Sequence, residues 1–185
     1  MSCSKRRQPD AHTSCLYWET MTDPEGGTAM ALADLRWELE RAGSHPATGG
    51  STTPTIFVYR RCFSQLRRWD DWGVVLQQLR ADRAVIVDTS ALEALPFFDG
   101  YHTTTSTLQL ALVHDIEQFN RAMVTTCYDA NKLFAAAVIP GFDNTRVHER
   151  GRLVVDRRDG ALYDQQWAAA LASNPGPVMI YSFNE

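Results

Sequence analysis

The sequence predicts an α/β fold built on a parallel sheet. From residue 16 onward, short apolar runs alternate with longer segments of helical periodicity. Several of those runs are continuous and apolar or β-branched, as parallel strands buried on both faces require. With 185 residues, 44% hydrophobic and 22% charged, the chain suits one domain with a single sizeable core.

The elements follow in order. Leu16–Glu19 reads as the first strand. Leu32, Leu35, Leu39 and Ala42 then keep helical spacing, with Gly43 as a C-terminal stop and Pro46 beyond it. Residues 43–54, rich in Gly, Ser, Thr and Pro, form a loop that leads into a second strand, Thr55–Arg60. Trp72, Val75, Leu76 and Leu79 mark a helix capped by Asp70 or Asp71, and Ala84–Asp88 is the third strand. Ser90 with Glu93 fits a capping box for a short helix ending before Pro96. Phe98–Thr103 is the fourth strand, followed by the longest expected helix through Leu108, Leu112, Ile116, Phe119 and Met123. Phe134–Ile139 is the fifth strand. Tyr163, Trp167 and Leu171 mark the last helix, closed by Asn174-Pro175-Gly176, and Val178–Ser182 is the sixth strand.

Two architectures satisfy this alternation, a (β/α)8 barrel and a doubly wound sheet, and six strands are too few for a complete barrel. Residues 1–15 are polar and patternless, unlike residues 16–185, and form an irregular N-terminus ahead of the folded domain. The sequence stops at Glu185 directly after an apolar strand, so it is expected to be an excerpt of a larger fold. No internal repeat or low-complexity tract is present.

Composition narrows the function. A net charge of −4 gives no general drive toward nucleic acid or an anionic membrane. Of the 18 basic residues only Lys5 and Lys132 are lysine, a skew read first as genome composition and second as a hint of anion recognition. The longest apolar run, Leu133–Ile139, is far below the roughly 20 residues a membrane span needs. Lys5, Arg6 and Arg7 have no apolar stretch behind them, so no secretory signal is expected and the location expected is cytoplasmic. Cys3, Cys15, Cys62 and Cys127 are too scattered for a disulfide framework or a zinc site and read as free, mostly buried thiols. Glycine-rich dinucleotide and phosphate loops, a zincin pair of histidines and a G-x-S-x-G nucleophile elbow are all lacking, so neither metal nor cofactor is expected.

What remains is a set of polar and aromatic residues where the strands end: Glu19; Tyr59 and Arg60; Asp88; Asp99, Tyr101 and His102; Asp143, Asn144 and Arg146; Asn184 and Glu185. In parallel α/β folds the carboxyl ends of strands share one face, and that face carries the site. Aromatic faces stack on sugar rings, and carboxylates supply acid–base chemistry and hydroxyl contacts, so this set suits a carbohydrate pocket. Each residue also has a structural role open to it. Asp88 could cap the next helix, Tyr101 and His102 could be satisfied core groups, Asp143 and Asn144 could shape the turn after Pro140-Gly141, and Trp18 could simply pack. Glu185 stands apart, because a Glu after Asn at the end of a buried strand is costly unless it meets a polar cleft.

The motifs Pro140-Gly141-Phe142-Asp143-Asn144-Thr145, Arg158-Asp159-Gly160 with Tyr163 and Trp167, and Ile180-Tyr181-Ser182-Phe183-Asn184-Glu185 resemble those of glycoside hydrolase family 99, the endo-α-mannosidase-like group. Phe98-Asp99-Gly100-Tyr101-His102-Thr103 is similar to the family's strand carrying a substrate-facing tyrosine. The resemblance is strongest over residues 84–185. It implies an incomplete (β/α)8 TIM-type barrel of about six β/α units and a retaining endo-acting hydrolase of α-linked glycans. Glu185 matches the family's base, which acts on the substrate's own 2-hydroxyl to give an anhydro-sugar. The family's general acid lies three residues further on, past the end of this sequence, so the chain is expected to be truncated before it. By the same resemblance Asn184, Glu19, Tyr59, Asp99, Tyr101, His102, Asp143 and Arg146 are substrate-binding. Tyr17-Trp18-Glu19 stands where the family has His-x-Glu, and Arg60-Arg61-Cys62-Phe63 where it has Tyr and His near the glycone, so the sugar itself is left open.

Three functions compete at this point. The first is a glycosidase acting on a glycan or oligosaccharide. The second is a non-catalytic carbohydrate-binding or structural barrel remnant. The third, a doubly wound domain for a nucleotide sugar, has only the acidic Asp23-Pro24-Glu25-Gly26-Gly27 where a phosphate grip belongs.

Overall fold

The computed structural model of the chain describes residues 16–43, 55–66, 69–79, 84–88, 94–102, 115–146 and 153–181. Six parallel strands form one sheet: β1 (Leu16–Trp18), β2 (Thr55–Val58), β3 (Ala84–Asp88), β4 (Gly100–His102), β5 (Leu133–Val138) and, last in the chain, β8 (Val178–Ile180). Two short strands, β6 (Phe142–Asp143) and β7 (Val154–Val155), make a separate antiparallel pair. The helices are α1 (Gly27–Gly43), α2 (Arg60–Gln65), α3 (Trp69–Leu79), α4 (Ile116–Asp129) and α5 (Ala161–Ser173).

The order of the sheet, β1-β2-β3-β4-β5-β8, is not that of a doubly wound sheet. A doubly wound sheet reverses its strand order at a switch point and so carries helices on both faces. Here the order never reverses. Trp18, Ile56, Val58, Tyr101, Phe134, Ala136 and Val138 all join one core with Leu35 of α1, Cys62 of α2, Trp72 of α3, Cys127 of α4 and Ala170 of α5. Every described helix therefore packs on the same sheet face. The opposite face holds a separate cluster of Phe57 and Ala135 with Tyr17 and Met179.

The sheet also curls. Laid flat, six strands would hold β1 and β8 about 24 Å apart, at about 4.8 Å per step. Instead the ring centroids of Tyr17, on β1, and Tyr181, one residue past β8, are 6.5 Å apart. The helix-free face is thus the concave one, and its side chains converge.

Local chemistry explains most element boundaries. The Asp115 carboxylate accepts from Gln118 N at 2.9 Å and starts α4, where the expected longer helix retains Ile116, Phe119 and Met123. Leu108 and Leu112 lie outside the described residues, as do Ser90 and Glu93. The carboxylate of Asp23 caps the 3-10 turn Pro24–Gly26 that leads into α1. α3 already begins at Trp69, so Asp70 and Asp71 fall inside its first turn rather than at its cap. Asn174 closes α5 in the left-handed conformation (φ 50°), as its place before Pro175 suggested. Leu171 is a correction: it is 68% exposed, and the buried side of α5 is Leu162, Gln166, Ala169 and Ala170. Tyr163, Trp167 and Leu171 each follow one of Leu162, Gln166 and Ala170 by one position, about 100° around the helix. They begin on the flank of the core face, and a drift of about 40° per four residues carries Leu171 off it.

Candidate functional site

Because all six strands run the same way, their carboxyl ends form one edge of the sheet, and the concave face at that edge gathers rings from four of them. Tyr17 of β1 contacts Tyr59 at 6.0 Å, His102 at 5.8 Å and Tyr181 at 6.5 Å between centroids. Phe57 of β2 meets His102 edge-on at 5.4 Å. Between β4 and β8, β5 turns Leu133 to this face at its amino-terminal end and, nearer the carboxyl edge, Ala135 and, by strand alternation, Ala137. These methyl groups leave room for the rings.

Period-two alternation explains who joins the cluster. Tyr17 points away from Trp18, which is buried against Trp72 of α3 at 6.1 Å. Phe57 and Tyr59 share a side, opposite the helix-packed Ile56 and Val58. Tyr101 and His102, adjacent on β4, necessarily part company. Tyr101 enters the helix-side core and His102 the concave face, both fully buried. The tyrosine expected to face substrate is therefore on the other side of the sheet, and its neighbour His102 occupies the concave side. His102 Nε2 lies 3.3 Å from the Val58 carbonyl oxygen. A carbonyl only accepts, so this bond assigns the proton of a neutral ring to Nε2.

The other expected site residues are scattered by comparison. Tyr59 directly precedes α2, bonds through its N–H to the Trp18 carbonyl at 2.8 Å, and carries the Arg61 guanidinium 5.8 Å from its ring. Glu19 is exposed just past β1 on the same edge. The loop that follows it is tied down where Met21 N donates to Gln65 Oε1 at 3.0 Å and Thr22 N to Asp34 Oδ2 at 2.7 Å. Asp99 is a correction of place. β4 begins only at Gly100, so Asp99 sits at the amino-terminal end of the sheet, where its carbonyl accepts from Leu133 N. Asn184 and Glu185 lie outside the described residues, and nothing is described of the Asp88 side chain.

Asp143 and Arg146, expected as substrate contacts after a turn at Pro140-Gly141, belong to the β6–β7 hairpin. β5 leaves the sheet through Pro140-Gly141, and Gly141 has φ +141°. A Cβ there would collide with Arg157 Cγ and sit 3.0 Å from the Val155 carbonyl oxygen. Glycine therefore lets the hairpin fold back against Arg157. The Asp143 carboxylate accepts from both the hydroxyl (2.7 Å) and the N–H (2.9 Å) of Thr145. Those bonds, with Arg146 adding attraction, hold its carboxyl below the ordinary 3.8. Phe142, Asp143, Val154, Val155, Asp156 and Arg157 line a cleft of about 330 Å³ beside the main edge. Among the described residues no cluster of His, Cys, Asp or Glu is placed to hold a metal ion, and no helix is long and apolar enough to cross a membrane.

Tyr17, Phe57 and Tyr181 were not among the expected site residues. The signal was present as parity, with Tyr17 sharing a face with Glu19 and Phe57 with Tyr59.

A one-way parallel sheet, helices on its convex side and an aromatic concave face define an α/β barrel-like fold. Comparison with solved structures gives that class a closer likeness. The chain matches the GH99 endo-alpha-mannosidase from Bacteroides thetaiotaomicron in complex with BIS-TRIS-Propane, with a TM-score of 0.76 and 23% identity. That match covers 94% of this chain and 57% of the mannosidase. A second structure of that GH99 endo-alpha-mannosidase gives a TM-score of 0.75 and 24% identity, covering 94% and 53%. The fold is thus similar to that of GH99 endo-alpha-mannosidases, in agreement with the motif resemblance, and the chain spans about half the length of the solved structures it matches. No family model matches the chain, and no curated protein does.

Proposed function

We propose that these residues are the greater part of a glycoside hydrolase-like (β/α)8 barrel whose concave carboxyl edge binds an α-linked glycan. The observation that carries this reading is the convergence of Tyr17, Phe57, Tyr59, His102 and Tyr181 on one face at one edge. Faces of aromatic rings are the apolar surface a pyranose ring covers, and the ring edges and polar tips suit its hydroxyls.

The curvature supports eight-strand closure. Eight strands about 4.8 Å apart, tilted about 36°, give a barrel radius of about 7.5 Å. Strands five places apart on that circle are separated by about 14 Å, and two inward tyrosines reaching about 4 Å each leave about 6 Å between their rings. The separation of Tyr17 and Tyr181 is 6.5 Å. In a closed six-stranded barrel β1 and β8 would pair. Among the described residues β1 pairs only with β2 and β8 only with β5.

On this reading Glu185 is the base acting on the sugar's own 2-hydroxyl, and Asn184 orients it or donates to a hydroxyl. Tyr59 and His102 shape the sugar pocket, while Glu19, Asp143 and Arg146 lie around its rim. The general acid implied by the resemblance falls at the third position after Glu185, outside the 185 residues. Hydrolysis is assigned to a chain that carries it, and the 185 residues alone are assigned glycan binding. Loss of a general acid removes about 10²–10⁴-fold in rate.

The test measures hydrolysis and binding together. In a chain continued past Glu185 to include the acid, Glu185→Gln should abolish hydrolysis of an α-mannoside while binding persists. Activity unchanged by that substitution would remove the assignment. For the 185 residues, calorimetric titration with α-mannosides should give binding without turnover, and no binding would sink the reading.

A further inference from the structure

Gln166 of α5 has no place in the site described above, yet it is 1% exposed and its amide is bonded to Ile139, just past β5, and to Leu162 of its own helix. Ile139 N donates to its Oε1 at 2.9 Å, while its Nε2 donates to the Ile139 carbonyl at 2.7 Å and the Leu162 carbonyl at 3.2 Å. Both main-chain polar groups of one residue are thus held by a single side chain.

The position of Ile139 gives this meaning. In β5 the main-chain groups of even-numbered residues face β8, since Ala136 N bonds to Pro177 O and Val138 O accepts from Tyr181 N. Those of odd-numbered residues face β4, since Leu133 N bonds to Asp99 O. Ile139 is odd-numbered and lies one residue past β5, beyond the last described β4–β5 pair, His102↔Ala135. The Gln166 amide takes the place of a strand partner there, immediately before Pro140-Gly141 lifts the chain into the hairpin.

We propose that Gln166 is a positioning residue, an amide clamp on the carboxyl end of β5 that fixes where the β6–β7 hairpin, with Asp143 and Arg146, stands beside the site. The functional consequence rests on the reading of that edge as a glycan site; the clamp itself does not. The chemistry is demanding, because Ile139 needs an acceptor and a donor at once. An amide supplies both, an ionised carboxylate only acceptors, a protonated carboxyl group both again, and a leucine neither.

That ordering gives a test a purely packing role would not pass. Hydrogen exchange of the 185-residue chain, corrected for intrinsic rates, is measured for wild type, Gln166→Glu and Gln166→Leu at pH 7 and pH 4.5. Gln166→Glu should expose the Ile139 and β6–β7 amides at least tenfold at pH 7 and regain protection at pH 4.5. Gln166→Leu should lose that protection at both. Affinity for an α-mannoside should follow the same pH pattern in Gln166→Glu and not in wild type. Ile139 protected equally in all three proteins would overturn the proposal. So would loss of protection across every strand at both pH values, which would assign Gln166 to the core as a whole. Wild type that keeps the clamp signature but binds no glycan would remove the functional reading and leave the clamp standing.

Discussion

Gly100 is where the fold is most sensitive to a single added carbon. A Cβ at that position would lie 2.6 Å from the Leu133 carbonyl oxygen and 2.8 Å from Leu133 Cβ. Carbon–oxygen contacts in sheets settle near 3.3 Å or more, so Gly100→Ala must push β4 and β5 about 0.7 Å apart. The bond from Leu133 N to Asp99 O, now 2.9 Å, lies in the path of that movement. Overpacking costs about 1–3 kcal/mol and weakening one buried main-chain bond about 1 kcal/mol. Alanine returns about 0.4–1 kcal/mol by restricting the unfolded chain, which leaves a net loss near 2 kcal/mol. With a urea m-value of about 2 kcal/mol/M, the unfolding midpoint should fall by about 1 M. Gly73→Ala is the control of opposite sign. It lies inside α3, its added Cβ meets nothing closer than a Phe97 ring carbon at 3.8 Å, and it should stabilise by about 0.5–1 kcal/mol. A Gly100→Ala protein within 0.5 kcal/mol of wild type, or one shifted as much as Gly73→Ala and in the same direction, would refute the reasoning.

Trp72→Ala should cost about 3–5 kcal/mol in the same urea assay, because the ring is 1% exposed and supports both Trp18 of β1 and Phe98 ahead of β4. Burial pushes the Cys62 thiol up to about 12 and the Cys127 thiol to about 11, from an ordinary 9.0. Both should therefore resist iodoacetamide at pH 8 until the chain unfolds, as mass spectrometry would show. Because the folded state keeps these thiols protonated, their contribution to stability is intact below about pH 9 and is lost as pH rises through 11 and 12, lowering the melting temperature. Asp143 has the opposite sign. Its lowered pKa stabilises the hairpin above 3.8 and is lost as pH falls below that value. Thr145→Val should return the Asp143 carboxyl toward its ordinary titration, read from its side-chain carbon resonance.

Strand and helix positions were legible because a strand buried on both faces must be a continuous apolar run, and Thr55–Val58 and Leu133–Val138 are such runs. The winding was not, since periodicity within elements says nothing about whether strand order reverses. The site was half legible. Of the residues expected at the carboxyl edge, Tyr59 and His102 do stand in the ring cluster there, but a fourth strand at Phe98–Thr103 sets Asp99 at its wrong end and makes Tyr101 and His102 companions. Alternation along β4 separates them, Tyr101 to the helix side and His102 to the concave face. The β6–β7 hairpin escaped notice because two-residue strands carry no alternation, and its anchor Gln166 because a buried glutamine on a helix looks in sequence like a surface one.

The central claim is that the concave aromatic edge binds a sugar ring, and chemical-shift mapping tests it most directly. Titrating an α-mannobiose into the isotope-labelled chain should move Tyr17, Tyr59, His102 and Tyr181 along one saturable isotherm, while Tyr101, on the helix side, stays still. Shifts confined to the helix side, or none at millimolar sugar, would contradict the account.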